Sequence, residues 1–179
     1  LFPNILTDDL LGSLAFAPAR LHGDGPLTTA VIFSPLTSMF IHASWLHLII
    51  NVTTMMAFGA GLEKAIGGRR LLLLYFASGL AGVLLHTLIY PDMTVPMIGA
   101  SGAVSGLFGG VLMLMYDRGL MGEGYKKLLP FVFIWVLMSA FFGFYGVPGT
   151  DNPIAWTVHI GGFIGGLLLY RPIVRLNMR

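Results

Sequence analysis

The chain has 179 residues, of which 56% are hydrophobic and only 10% are charged, and its mean hydropathy is +0.83. This composition excludes a soluble domain with a polar surface, so we expect most of the chain to lie in lipid. The absence of cysteine excludes a disulfide framework, a thiolate metal site and a cysteine nucleophile, while the net charge of +2 is unremarkable.

Residues 1–42 contain no window near the roughly 20 apolar residues needed to span a bilayer. Their apolar positions include Leu10, Leu11, Leu14 and Phe16, near Arg20. This pattern predicts an outer loop with a possible interfacial helix, and a soluble loop is an equal alternative. Because the chain starts with Leu1 and shows no signal peptide, we expect it to be a fragment or a processed chain.

Five apolar segments of spanning length follow this loop. They cover residues 43–62, 71–90, 95–116, 128–147 and 154–174. The sequence therefore predicts an all-α polytopic membrane protein with a transmembrane core over residues 43–174 and a tail over residues 175–179.

The cationic residues predict the orientation of this core. Nine of the ten Lys and Arg residues follow the first, third and fifth segments: Lys64, Arg69, Arg70, Arg118, Lys126, Lys127, Arg171, Arg175 and Arg179. If the segments alternate, all nine lie on one side, which the positive-inside rule makes the cytoplasm. We therefore expect residues 1–42 outside and the C-terminus inside.

Polar groups inside the spans are costly and mark functional sites by default. His47, Asn51, Ser101 and His159 lie in the first, third and fifth segments, each on the order of 5 to 12 Å below the outer end. Three spans therefore bring four polar groups to a similar depth.

The similar depth of these four groups in the membrane would allow nucleophilic catalysis. A neutral imidazole can accept the proton of a serine hydroxyl, so Ser101 and His159 are a candidate nucleophile and general base. His47 and Asn51, with the backbone N–H of Ser101, are candidate donors to an oxyanion. The nearest acid to His159 is the loop residue Asp151, so a dyad is predicted rather than a triad.

Glycines at four-residue spacing would let the third and fifth spans touch. Those on the third span are Gly102, Gly106 and Gly110, after Gly99, and those on the fifth are Gly161, Gly162, Gly165 and Gly166. Such repeats alone more often indicate helix packing than catalysis. We interpret His86 as structural or interfacial, Ser105 as a small packing residue and His42 as shaping the loop that enters the site.

Several motifs in chain order resemble those of the rhomboid family of intramembrane serine proteases. Gly99-Ala100-Ser101-Gly102 resembles the Gly-x-Ser-Gly nucleophile motif, and His159 with the glycines after it resembles the helix of the catalytic His. His42, His47 and Asn51 have the spacing of the family's His-x4-His-x3-Asn, whose second His and Asn are assigned to the oxyanion site. Gly59, Glu63 and Gly67 resemble the family's inner-loop pattern.

The chain also departs from the family pattern. It has Val158 where a small residue usually precedes the catalytic His, and Ser105 where an aromatic usually follows the Ser by four positions. Phe33-Ser34 replaces a common Trp-Arg pair in the outer loop. The family core has six spans, so the resemblance implies that a first span precedes Leu1.

The resemblance implies a rhomboid-like helical bundle that cleaves peptide bonds in or near transmembrane segments, with Gly99, Gly102, Gly106, Gly162 and Gly165 packing around the site. It implies single-span or polytopic membrane-protein substrates, the lipid bilayer as environment, and no cofactor, metal or nucleic acid. It also implies a bacterial inner membrane with the site facing outward, and the fourth span as a lateral substrate gate.

Two other classes remain open. A catalytically silent rhomboid-like protein would bind transmembrane helices without cleaving them, and the departures at Val158 and Ser105 are its support. A small transporter or channel would use the histidines as a proton path, but no intramembrane carboxylate or repeat between the two halves supports it.

Overall fold

The protein is mainly helical over the residues that its computed structural model describes, which are 8–23, 26–122, 124–145 and 155–177. The α-helices there are α1 (Asp8–Leu14), α2 (Thr29–Thr37), α3 (Trp45–Ile66), α4 (Gly68–Ile89), α5 (Ser101–Asp117), α6 (Leu129–Tyr145) and α7 (Trp156–Arg175). Short 3₁₀ turns cover Pro18–Leu21, Ser38–Phe40 and Tyr125–Leu128. The predicted all-α class is confirmed.

Each of the five predicted apolar segments contains one helix. By length and composition, α3, α4 and α7 can cross a membrane. The helices α5 and α6 have 17 residues each and occupy the third and fourth segments. Residues 146, 147 and 154, at the facing ends of the fourth and fifth segments, lie outside the described residues.

The prediction that the third helix starts at residue 95 was wrong, because α5 begins at Ser101. Pro96 lacks a backbone N–H for a helix, and Gly99 adopts a φ of +113°, a conformation that L side chains rarely take. The nucleophile candidate therefore stands at the first position of its helix rather than inside it.

The outer segment before α3 is tied to the loop that precedes α5. Phe16 and Met97 exchange two backbone hydrogen bonds, of 3.2 and 2.6 Å, and the Thr37 hydroxyl donates to the carbonyl of Leu14 at 2.8 Å. Phe16 is 1% exposed. The predicted interfacial helix therefore ends at Leu14, and Phe16 is a core residue rather than part of a lipid-facing stripe.

Helix α7 packs between α4 and α5, and its own glycines lie at both contacts. A Cβ on Gly162 or Gly166 would overlap the carbonyl oxygen of Gly102 or Gly106, respectively, so α5 and α7 touch backbone to backbone.

Three of the predicted packing glycines have other neighbours. Gly161 and Gly165 face Leu85 and Ala81 on α4, and Gly110 faces Leu74 and Leu62. The prediction that these three join the third span to the fifth was wrong, because adjacent glycines on one helix point to different neighbours.

Candidate active site

Ser101 and His159 meet at the outer ends of α5 and α7. The Oγ of Ser101 lies 2.7 Å from the Nε2 of His159, within hydrogen-bond distance, although the residues are 58 positions apart. Both side chains are partly exposed. A hydroxyl in contact with an imidazole nitrogen is the arrangement that proton abstraction from a serine requires.

Val158, in the first turn of α7, packs against a glycine on each neighbouring helix. Its Cγ1 lies 2.5 Å from the position that a Cβ on Gly102 would take, and its carbonyl oxygen lies 2.5 Å from the corresponding position on Gly82. The departure at residue 158 is therefore accommodated, because glycines on both neighbouring helices leave room for the valine.

Gly99 brings the loop before α5 against α3. Its N–H donates to the carbonyl of Ser38 at 2.8 Å, and a Cβ there would stand 2.7 Å from Cε1 of His47. His47 therefore lies beside the backbone two residues before Ser101, and any side chain at position 99 would displace its ring.

Asn51 lies one turn after His47 on α3 and is 5% exposed. Its Nδ2 donates to the carbonyl of His47 at 2.9 Å. A primary amide has two N–H donors, so one remains for another acceptor. The roles of His47 and Asn51 as oxyanion donors stay predictions.

His42 contacts His47 edge to face, with ring centroids 5.0 Å apart and an interplanar angle of 72°. Burial lowers the pKa of His42, and a hydrogen bond with the backbone of Phe40 acts in the opposite direction. The shift favours a neutral ring near pH 7. The contact with His47 agrees with the interpretation that His42 shapes the entry to the site.

Ser105 lies one turn below Ser101. It is 2% exposed, and its hydroxyl donates to the Ser101 carbonyl at 2.7 Å. At the position where the family usually has an aromatic residue, this chain therefore has a packed, hydrogen-bonded serine. This agrees with the interpretation of Ser105 as a small packing residue.

His86 has a hydrogen-bond partner next to this site that was not predicted. Its Nδ1 lies 2.6 Å from the Thr157 hydroxyl oxygen. The signal in the sequence was the position of Thr157, a hydroxyl residue two positions before His159.

A metal site or an acidic partner of His159 would add to this pair. Among the described residues, His, Asp and Glu form no group of three that could hold a metal ion. Asp151, the acid nearest to His159 in sequence, lies outside the described part of the chain.

Comparison with known proteins identifies relatives with named activities. The putative rhomboid protease YdcA of Bacillus subtilis (strain 168) is 30% identical over 135 residues, which are 75% of this chain and 63% of the relative. Rhomboid-like protease 5 of Toxoplasma gondii is 32% identical over 166 residues, which are 93% of this chain and 18% of the relative. The rhomboid protease GluP of B. subtilis is 30% identical over 131 residues, 73% of this chain and 24% of the relative.

The chain spans less than two-thirds of the length of each of these relatives. The family model described as the Rhomboid domain matches residues 30–176, which include α2 to α7. Since this match covers well over half of the chain, the protein belongs to the rhomboid family.

Proposed function

We propose that this protein is an intramembrane serine endopeptidase that cleaves peptide bonds in or near transmembrane segments with a Ser101–His159 dyad. The observation that carries the proposal is the 2.7 Å contact between the Ser101 hydroxyl and the Nε2 of His159. The rhomboid protease names of the bacterial relatives support the same reaction class.

In the proposed reaction the Ser101 hydroxyl donates its proton to a neutral Nε2 of His159 while Oγ attacks the scissile carbonyl. The resulting imidazolium gives that proton to the leaving amine nitrogen as the C–N bond breaks, which leaves an acyl-enzyme. Water then attacks the ester, with His159 again accepting the proton, and releases Ser101 and the new carboxyl terminus.

The start of α5 supports a role for the Ser101 backbone in binding the oxyanion. The first N–H groups of a helix have no partner within the helix, and the helix dipole is positive at this end. Ser101 occupies that first position. Together with His47 and the second N–H of Asn51, its N–H would stabilise the negative oxygen of the tetrahedral intermediate.

The distribution of charge supports an outward-facing site. Nine of the ten Lys and Arg residues follow the predicted spans that begin outside, which places the Ser101 end of α5 on the outer side under the positive-inside rule. We therefore propose an active site open to the periplasmic or extracellular side of a bacterial inner membrane. The partners are membrane-protein substrates, and no cofactor takes part.

Two assays with wild-type protein in detergent test the proposal. Wild type should cleave a model transmembrane substrate and react with a fluorophosphonate, whereas Ser101→Ala should do neither. Labelling should also vanish in His159→Ala, because Ser101 then lacks a base. Undiminished labelling in that variant would contradict the dyad, and substrate binding without cleavage or labelling would favour the silent rhomboid-like binder.

A third variant tests the oxyanion donors. Asn51→Ala should lower kcat by about 100-fold, the usual loss for one oxyanion-hole donor. An unchanged kcat would remove Asn51 from the proposed machinery without affecting the dyad.

A further inference from the structure

A buried polar pair lies beside the proposed dyad and takes no part in it. The Nδ1 of His86, near the outer end of α4, lies 2.6 Å from the Oγ1 of Thr157 in the first turn of α7. His86 is 4% exposed and Thr157 is 1% exposed. The hydrogen bond therefore joins two helices in the interior, two residues before the candidate base.

The position of Thr157 relates this bond to the direction of His159. Successive residues of an α-helix are about 100° apart around its axis, so Thr157 and His159 are about 200° apart. Thr157 accordingly faces α4 while His159 faces α5. A bond on the Thr157 side therefore restrains the rotation of α7 that aims the imidazole at Ser101.

Apart from Val158, whose Cγ1 fills the space over Gly102, and the buried ring of Phe163, much of the surface that α7 presents to α4 and α5 is glycine. Gly161 and Gly165 lie against α4, and Gly162 and Gly166 lie against α5, so these contacts lack interlocking side chains. Ala155, at the N-cap of α7, makes no side-chain cap hydrogen bond. Close contact between small residues holds the helices together, but it does not by itself select one rotation.

The opposite end of α7 has polar contacts of its own. The Arg171 Nη2 lies 2.5 Å from the Asp117 Oδ1 on α5, and Arg70 on α4 donates to the carbonyl of Leu176 at 2.8 Å. Polar contacts thus restrain α7 at both ends, with the glycine surface between them.

We propose that His86 and Thr157 are positioning residues, whose hydrogen bond sets the rotation of α7 that brings His159 to Ser101. The catalytic consequence rests on the proposed function. The Nε2 of His86 has no hydrogen-bond partner among the described residues, so the histidine is imperfectly satisfied where it lies. Replacing both members of a buried polar pair by apolar groups of similar shape is often neutral for stability. We therefore expect a variant that lacks both polar groups to remain folded.

The test uses the double variant His86→Leu/Thr157→Val, with Thr157→Ser as the conservative variant that keeps the hydroxyl. Thr87→Val is the matched control, because the Thr87 hydroxyl donates only within its own helix, to the Val83 carbonyl at 2.9 Å. For each protein in detergent we would measure kcat and KM on a model transmembrane substrate, the thermal unfolding midpoint, and the spectrum of ring-15N-labelled histidine.

The double variant should lose about 10- to 100-fold in kcat, the scale expected when a catalytic group is misplaced by a fraction of an ångström to an ångström. Its KM should stay within about 2-fold, because substrate binding is not altered. Its unfolding midpoint should match wild type, and the His159 resonances should shift. Thr157→Ser should recover kcat, and Thr87→Val should resemble wild type.

Wild-type kcat and unshifted His159 resonances in the double variant would overturn the proposal. A parallel loss of kcat and unfolding midpoint that Thr157→Ser shares would overturn it as well, because that pattern belongs to packing. If wild type itself neither cleaves nor reacts with a fluorophosphonate, the proposed function fails. The His159 resonances then decide this inference, since a shift in the double variant but not in Thr157→Ser supports positioning and no shift refutes it.

Discussion

Helices α7 and α6 both contact α5, but α7 does so through its backbone and α6 through an aromatic side chain. On α7, Gly162 and Gly166 lie against backbone carbonyls of α5. On α6, Trp135 packs its ring on Phe108 of α5 and Phe163 of α7, with centroids 4.9 and 5.9 Å away. Two backbones in contact cannot relieve a misfit by changing side-chain rotamers, whereas aromatic side chains can change rotamer and repack. The backbone contact of α7 therefore fixes the distance between α5 and α7, whereas the ring contact of α6 can adjust.

The outward face of α6 strengthens this contrast. Among the side chains that the structure describes there, the exposed large apolar ones are Leu129, Phe131, Phe133, Ile134, Leu137, Met138 and Phe141. On α5, Gly102, Ala103, Val104 and Ser105 are all buried. A helix with a broad apolar outer face and ring contacts to its neighbours fits the lateral gate that the family resemblance implies, and that role remains a hypothesis by analogy.

Gly162→Ala should have the largest effect on the α7 contact. The new Cβ would overlap the carbonyl oxygen of Gly102, which is a backbone atom and cannot rotate away as a side chain can. We expect a loss of about 3 kcal/mol in unfolding free energy, at the upper end for overpacking, together with loss of cleavage. Denaturation by SDS and the substrate assay would measure both. Wild-type behaviour of this variant would refute the backbone contact between α5 and α7.

Gly106→Ala should cost less, about 2 kcal/mol, because part of the clash is with a side chain. Its Cβ would overlap both the hydroxyl and the Cβ of Ser78 and stand 3.0 Å from the carbonyl oxygen of Gly162. Ser78→Gly in the same chain should restore part of the stability. The same SDS titration tests this, and the absence of any recovery would mean that the Gly162 carbonyl dominates the clash.

Trp135→Phe tests the α6 side and should cost less than about 1.5 kcal/mol, because neighbouring rings can move into the space that the smaller ring leaves. The Trp135 Nε1 is buried without a hydrogen-bond partner among the described residues, so its removal leaves no acceptor unpaired. Phe163→Leu is the control, since Phe163 is 0% exposed and should respond more strongly. A larger loss in Trp135→Phe than in Phe163→Leu would contradict the adjustable contact inferred for α6.

Gly61→Ala should have the smallest effect and the opposite sign. A Cβ at Gly61, on the exposed side of α3, meets no atom within 4 Å. We expect a gain of about 0.5 to 1 kcal/mol, because alanine loses less backbone entropy in a helix. This substitution is also the matched control for Gly162→Ala. If both variants were destabilised alike, the loss at Gly162 could not be assigned to the contact.

Much of the candidate site could be predicted from the sequence because its signals are local. Hydropathy over about 20 residues locates the spans, since a bilayer demands that length. Ser101 and His159 stand out because polar groups are rare inside apolar segments. The start of α5 was less predictable, because Val95 and Met97 are apolar but belong to a loop that pairs with Phe16.

The sequence by itself determined the helical class, the apolar segments and the residues able to supply a nucleophile and a base, because lipid imposes composition along the chain. Only the tertiary structure decided which helix each glycine contacts, that Asn51 donates to His47, and that His86 bonds to Thr157. These features depend on the rotation of each helix about its axis. That rotation is set by neighbours far away in sequence, so no local pattern reveals it.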